Sequence, residues 1–146
     1  MSTFETILNV ATQRADEKGL PYAGELTPQE ASTLLQQDAF ILVDVRTQAE
    51  LDLVGRIPNA HHIEWAFYPG MVPNPDFAAQ LSNIDKHQSV IFICRTGGRS
   101  HNAAVVASQL GYTAYNMAEG FEGAANQQKQ RTLVNGWKKA GLPWNN

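Results

Sequence analysis

One cysteine in this chain lies in a segment whose other residues could hold an anion. Cys94 is the only cysteine among 146 residues. It comes directly after the apolar run Ser89–Ile93, a pattern typical of a buried β-strand. The six residues that follow it are Arg95, Thr96, Gly97, Gly98, Arg99 and Ser100. We therefore predict a loop at the carboxyl end of a strand, where open α/β sheets place their ligands.

The backbone of this segment favours a reactive sulfur on Cys94. The adjacent glycines Gly97 and Gly98 allow backbone N–H groups to turn inward. A helix is predicted to begin at Ser100, and a helix start adds unpaired N–H groups and the positive end of a dipole. We expect the Ser100 hydroxyl to cap that helix by accepting an N–H. These features predict a cradle for an anion around the sulfur.

Two arginines strengthen the prediction of an anionic sulfur. Arg95 and Arg99 stay charged, and each can bind an oxyanion through two hydrogen bonds. We expect Cys94 to be an exposed thiolate at neutral pH, the form of cysteine that attacks a sulfane sulfur and is easily oxidised. The alternative is a buried structural cysteine at a strand end. Two arginines and two glycines within five residues argue against that alternative.

Strands and helices alternate along the chain. The pattern predicts strands over 40–45, 60–63, 89–93 and 112–116, and helices over 2–18, 28–37, 48–55, 75–81 and 100–110. We therefore expect an α/β fold of three layers, with a mostly parallel central sheet and helices on both faces. The aromatic and proline-rich residues 64–75 are predicted to be irregular. We divide the chain into an appended helix (1–20), one domain (21–126) and a helix or tail docked on that domain (127–146).

Composition narrows the classes of function. Hydrophobic residues make up 43% and charged residues 17%, which is typical of a soluble globular protein. The formal net charge of −3 argues against nucleic acid and anionic membrane as partners. A lone cysteine fits a reducing, cytoplasmic setting, and we find no signal peptide or membrane span. We expect no cofactor and no metal, since the adjacent His61 and His62 would point to opposite faces of a strand.

Three segments resemble motifs of the rhodanese family. Residues 94–100 are similar to its active-site loop, and residues 42–50 are similar to an upstream signature. Residues 55–60 resemble a further family segment with two departures. The family usually has histidine where this chain has Arg56, and glycine where it has Asn59. The resemblance covers about residues 24–126.

The resemblance implies a rhodanese-like fold and sulfur transfer. In such a protein Cys94 carries a persulfide and residues 95–100 bind the sulfur donor. Asp44, Arg46 and Glu50 are expected to be structural supports near the site. The expected activity moves a sulfane sulfur from an anionic donor such as thiosulfate to cyanide or a thiol.

Two alternatives share the same cysteine. A sulfur-relay or binding module would accept persulfide from a partner, such as a sulfur-carrier protein. Residues 64–75 are expected to cover the flank of the sheet, and in a relay module they would be the docking surface. A cysteine-based phosphatase or arsenate reductase is the other alternative. In phosphatases of this fold the arginine lies one position later than Arg99, where this chain has Ser100. The smaller ring favours sulfur over phosphate.

Overall fold

A computed structural model describes residues 2–146, in which helices and strands alternate along the chain. The helices are α1 Thr3–Lys18, α2 Pro28–Leu34, α3 Gln48–Val54, α4 Phe77–Leu81 and α5 Gly98–Gln109. The strands are β1 Gly24–Leu26, β2 Phe40–Asp44, β3 His61–His62, β4 Ala66–Phe67, β5 Val72–Pro73, β6 Ser89–Ile93 and β7 Ala114–Met117. None of these helices has the length and apolar character that a membrane crossing requires.

The central sheet has the strand order β1-β7-β6-β2-β3, and all of its pairings are parallel. In the pairing of β2 with β6, Asp44 lies opposite Ile93. The two central strands therefore end at the same level, and Cys94 leaves the sheet beside Asp44. This arrangement confirms the predicted α/β fold with a mainly parallel sheet.

Alternate residues of β6 face the two sides of the sheet. Val90 and Phe92 join a core cluster with residues of α4 and α5, whereas Ile91 and Ile93 join a second cluster with residues of α1 and α2. This alternation follows from the strand geometry, in which successive side chains point to opposite faces. Helices therefore cover both faces of β6, which buries its residues from Val90 to Ile93 and leaves Ser89 partly buried.

Capping boxes start three of the helices. Thr27 with Glu30 and Thr47 with Glu50 form the two boxes predicted from the sequence, and Ser2 with Glu5 forms a third. Helix boundaries differ from the predictions by a few residues. Helix α2 ends at Leu34, where the N–H groups of Gln36 and Gln37 bind the oxygens three residues before them and so form a turn. Helix α5 begins two residues before the predicted start.

Two segments differ from their predicted structures. Residues 64–75 are not wholly irregular, because β4 and β5 pair as a short antiparallel hairpin. Residues 127–146, expected to be a helix or a docked tail, form no helix and consist of turns and bends. This tail is held by the buried Trp137 and by two backbone hydrogen bonds between Arg56 and Asn145, at 2.7 and 2.9 Å.

Asn59, one of the two departures from the family pattern, has a backbone conformation that asparagine tolerates. Its φ is 67°, in the left-handed region that glycine enters freely and that asparagine enters more readily than most residues. Arg56, the other departure, forms an ion pair of 2.6 Å with Asp52. Both substitutions are therefore compatible with the local packing.

Candidate active site

Cys94 lies at the base of the cysteine loop, the name used here for residues 94–100. Its Sγ accepts a hydrogen bond from the Gly97 N–H at 3.1 Å and one from the Ser100 hydroxyl at 3.3 Å. The residue is only 1% exposed. The predicted exposure of the sulfur is therefore wrong, because the loop folds back over Sγ at Gly97. A buried sulfur with two donors still differs from a purely apolar cysteine.

Gly97 allows this tight turn. Its φ is 104°, which strains any residue with a side chain. A Cβ at this position would also collide with the backbone oxygen of Ala118, in the segment after β7. The cysteine loop therefore packs directly against the backbone that follows β7. Of the other loop residues, Arg95, Thr96 and Gly98 are exposed.

Ser100 has a different role from the one predicted. It is the third residue of α5, while Gly97 occupies the capping position and provides no side-chain cap. The Ser100 hydroxyl lies 3.2 Å from the Gly97 oxygen and 3.3 Å from Cys94 Sγ. The serine therefore faces the sulfur and does not cap the helix.

Arg99 is held by a carboxylate. Its two terminal nitrogens donate to Glu50 at 2.7 and 2.9 Å. Burial by itself raises the pKa of Glu50, but the hydrogen bonds and charge of Arg99, together with hydrogen bonds from Thr47, hold that pKa below its ordinary value. Burial lowers the pKa of Arg99, and its interactions with Glu50, Cys94 and Asp44 more than offset this effect. Arg99 therefore stays charged close to the sulfur.

Arg95 has a looser carboxylate partner. Its Nε lies 3.3 Å from Glu122, and its side chain is 47% exposed. Both arginines line an open cleft of about 430 Å³, together with Glu50, Val54, Met71 and Glu122. Their charges are thus largely balanced, whereas the sequence suggested two free guanidinium groups around the sulfur.

Asp44 and Arg46 form a buried ion pair beneath the cysteine loop. Arg46 donates to the Asp44 carboxylate through Nε at 3.0 Å and through Nη2 at 2.7 Å. It also donates to the Gly55 oxygen at 2.9 Å, and its guanidinium lies 4.1 Å from the centre of the Phe121 ring. These contacts link the end of β2 to the turn after α3, a geometry that fits structural support.

Two residues near the cysteine loop are missing from the sequence predictions. Glu122 pairs with Arg95, and Asn116 in β7 donates through Nδ2 to the Gly97 oxygen at 3.3 Å. Both come from segments that reach the loop only through the strand order of the sheet. The sequence carried no local signal for either contact.

Several known proteins are similar to this chain in sequence or in structure. Residues 27–127 match the family described as Rhodanese-like domain. An uncharacterised protein of Rickettsia conorii is 39% identical over 115 residues, covering 76% of this chain and 87% of the relative. A sulfurtransferase of Allochromatium vinosum is 30% identical over 110 residues, covering 75% and 82%. The crystal structure of Rv0390 from M. tuberculosis aligns with a TM-score of 0.78 and 38% identity, covering 85% of this chain and 98% of that chain.

The family match includes the cysteine loop, the Asp44–Arg46 pair and the capping box of Glu50, and it spans more than half of the chain. The chain therefore belongs to the rhodanese-like domain family.

Proposed function

We propose that this protein is a sulfurtransferase that carries a sulfane sulfur as a persulfide on Cys94. The donor is an anion such as thiosulfate, and the acceptor is cyanide or a thiol. The observation that carries the proposal is the pair of donors, Gly97 N–H and the Ser100 hydroxyl, that point at Sγ. Hydrogen bonds of this kind are stronger to an anionic sulfur than to a neutral one.

The reaction has two displacement steps. The Cys94 thiolate attacks the outer sulfur of thiosulfate, so a bond forms between Sγ and that sulfur while the donor's S–S bond breaks. Sulfite leaves with the electron pair. The acceptor then attacks the terminal sulfur of the persulfide, and the electrons of the broken bond return to Sγ. With cyanide as acceptor the product is thiocyanate, and the thiolate is restored.

The donor's charged end needs a cation at the cleft. We propose that Arg95 provides it, because its single contact with Glu122 is long and its side chain is half exposed. Arg99 is less available, since two short hydrogen bonds hold it on Glu50. Arg99 then keeps the cysteine loop in place while Arg95 exchanges its carboxylate for the donor. Because Sγ is buried, we propose that the donor approaches it beside the exposed residues Arg95, Thr96 and Gly98.

Intact-mass analysis tests this function directly. The protein is mixed with thiosulfate, and its mass is expected to rise by one sulfur atom and to fall back after addition of cyanide. Cys94 is the only cysteine, so Cys94→Ala is a clean control that should show no gain. A wild-type protein that gains no sulfur, or a Cys94→Ala protein that still gains it, contradicts the proposal.

A sulfur relay with a partner protein is the second candidate. The observation in its favour is an apolar rim, formed by Leu53, Tyr68 and Met71, whose large side chains are exposed beside the cleft. Exposed apolar surface next to a reactive site is typical of a protein contact. Rapid labelling of Cys94 by a persulfide on a sulfur-carrier protein, with slow turnover on thiosulfate, would favour the relay over the thiosulfate enzyme.

A further inference from the structure

Three hydrogen-bond donors converge on the carbonyl oxygen of Gly97. The His101 N–H lies 3.0 Å from it, the Ser100 hydroxyl 3.2 Å and Asn116 Nδ2 3.3 Å. A carbonyl oxygen has two lone pairs, so it accepts two good hydrogen bonds. The three donors therefore compete for this oxygen.

The Ser100 hydroxyl is the one donor with an alternative acceptor. It has a single proton, and its oxygen lies 3.2 Å from the Gly97 oxygen and 3.3 Å from Cys94 Sγ. At any moment the proton goes to one acceptor or to the other. If this proton is donated to the Gly97 oxygen, the sulfur has one donor, the Gly97 N–H; if it is donated to the sulfur, the sulfur has two.

We propose that Asn116 is a positioning residue that directs the Ser100 proton to the sulfur. Asn116 and the His101 N–H fill both lone pairs of the Gly97 oxygen, which leaves Cys94 Sγ as the acceptor for Ser100. An anionic sulfur gains more from this second donor than a thiol does. Asn116 thereby favours the thiolate form of Cys94 indirectly, through the Gly97 oxygen and the Ser100 hydroxyl. The inference rests on the proposed function, in which that anionic sulfur takes and holds the transferred atom.

The other end of the Asn116 amide argues against a role in stability alone. Asn116 is 3% exposed, and its Oδ1 is buried without a hydrogen-bond partner among the described residues. An unsatisfied buried oxygen lowers stability by an amount similar to what one hydrogen bond contributes. Removing the whole amide should therefore change the stability little, while it changes the ionisation of the sulfur.

Thiolate absorbance in the ultraviolet measures that ionisation without any sulfur donor. The chain has one cysteine, so the spectrum of each protein minus that of its Cys94→Ala counterpart reports this sulfur alone. We expect Ser100→Ala to move the titration midpoint upward by about one pH unit, the size of a typical hydrogen bond to a charge. Asn116→Ala should move it upward by about half a unit, because it weakens that same bond only in part.

A double-mutant cycle separates this role from a general effect on packing. In the Ser100→Ala background there is no proton left to redirect, so adding Asn116→Ala should cause no further shift. An equal shift in both backgrounds, or no shift in either, overturns the proposal. The cycle is independent of sulfur loading. If thiosulfate adds no sulfur but the cycle behaves as expected, the proposed function fails, while the effect of Asn116 on the ionisation of Cys94 is established.

A second variant shows whether the shift in Asn116→Ala comes from a folding defect. Asn116→Leu keeps the number and branching of the side-chain heavy atoms and removes both polar atoms of the amide, including the unpaired oxygen. We expect its thermal midpoint to lie within a few degrees of the wild type and its titration shift to match that of Asn116→Ala. If neither variant folds, the amide is needed for stability, and the proposal is wrong on that point.

Discussion

Arg99 and Glu50 face each other at the cleft, joined by hydrogen bonds of 2.7 and 2.9 Å, although 49 positions separate them in the sequence. Each comes from the first turn of a helix, Glu50 from α3 and Arg99 from α5. Glu50 also accepts the Thr47 N–H at 3.2 Å and closes the capping box of α3. A single carboxylate thus starts one helix and holds the arginine of the cysteine loop.

Glu50→Gln should separate these two roles. Glutamine keeps the shape and can still close the capping box, but it no longer neutralises Arg99. We expect a loss of about 1–2 kcal/mol in the free energy of unfolding, because the ion pair is lost and glutamine keeps only one of the two oxygens that accept hydrogen bonds from Arg99. We also expect a several-fold lower KM for thiosulfate, since Arg99 then offers an unbalanced positive charge to the dianion.

Glu30→Gln is the matched control. Glu30 also closes a capping box and pairs with an arginine, Arg14, through hydrogen bonds of 2.6 and 3.0 Å, but that pair belongs to α1 and α2. Its replacement should lower stability by a similar amount and leave the KM unchanged. If both variants change the KM equally, the charge balance at the cleft does not control donor binding.

Acid pH should weaken the Arg99–Glu50 link with a defined sign. The pKa of Glu50 in the folded protein lies below its ordinary value of 4.5. A lowered carboxyl pKa contributes stability above the ordinary value, and this contribution is lost as the pH falls through the lowered one. Urea unfolding below pH 4.5 should therefore show the wild type approaching Glu50→Gln in stability. A difference between them that stays constant down to the acid limit would contradict this assignment.

Arg95→Ala should affect the donor more than the fold. The side chain is half exposed, and its ion pair with Glu122 is long, so its loss should change the free energy of unfolding by less than about 1 kcal/mol. We expect the KM for thiosulfate to rise about tenfold, which corresponds to about 1.4 kcal/mol of binding free energy. Steady-state kinetics together with thermal melting check both parts. An unchanged KM would remove Arg95 from donor binding.

Gly97 and Gly98 are neighbours with opposite tolerance to a side chain. Gly97→Ala combines a φ of 104° with a collision against the Ala118 oxygen, so we expect a loss of at least about 2 kcal/mol and no sulfur loading. Gly98 is exposed, begins α5, and has nothing within 4 Å of a Cβ. Gly98→Ala should therefore be neutral or slightly stabilising. Comparable melting temperatures for the two variants would show that the loop is not held as tightly as described.

Local sequence patterns were enough to predict the main elements. Strand β6 was predicted at its observed bounds because a short apolar run with β-branched residues is a strong strand signal. The capping boxes at Thr27 and Thr47 were predicted because each joins residues three apart on one turn. Such signals depend only on neighbours in the chain. The short strand β1 and the β4–β5 hairpin lacked them and were missed.

The site was predictable in its residue types but not in its contacts. The cysteine loop was recognised from its composition, yet the burial of Sγ depends on how Gly97 packs against Ala118. Likewise, Glu122, the partner of Arg95, follows β7 in the chain. It reaches Arg95 only because β7 lies beside β6 in the folded sheet. Charge neutralisation at the cleft is therefore a tertiary property that no local pattern carries.

The buried pair of Asp44 and Arg46 should be much more sensitive to mutation than a surface pair. Both side chains are almost completely buried, so Arg46→Met leaves an unpaired carboxylate in the interior, at an expected cost of about 3–5 kcal/mol. Arg56→Met removes the exposed pair with Asp52 and should cost less than about 0.5 kcal/mol.

A double variant shows whether this cost comes from the stranded charge. Asp44→Leu combined with Arg46→Met leaves no charge in the interior, so it should recover much of the stability that Arg46→Met loses. Chemical unfolding measures all three variants. Asp44 lies opposite Ile93, next to Cys94, so the double variant should also keep the sulfur in place and load it from thiosulfate. A stable double variant that no longer loads sulfur would mean that the pair contributes to the chemistry and not only to the frame of the cysteine loop.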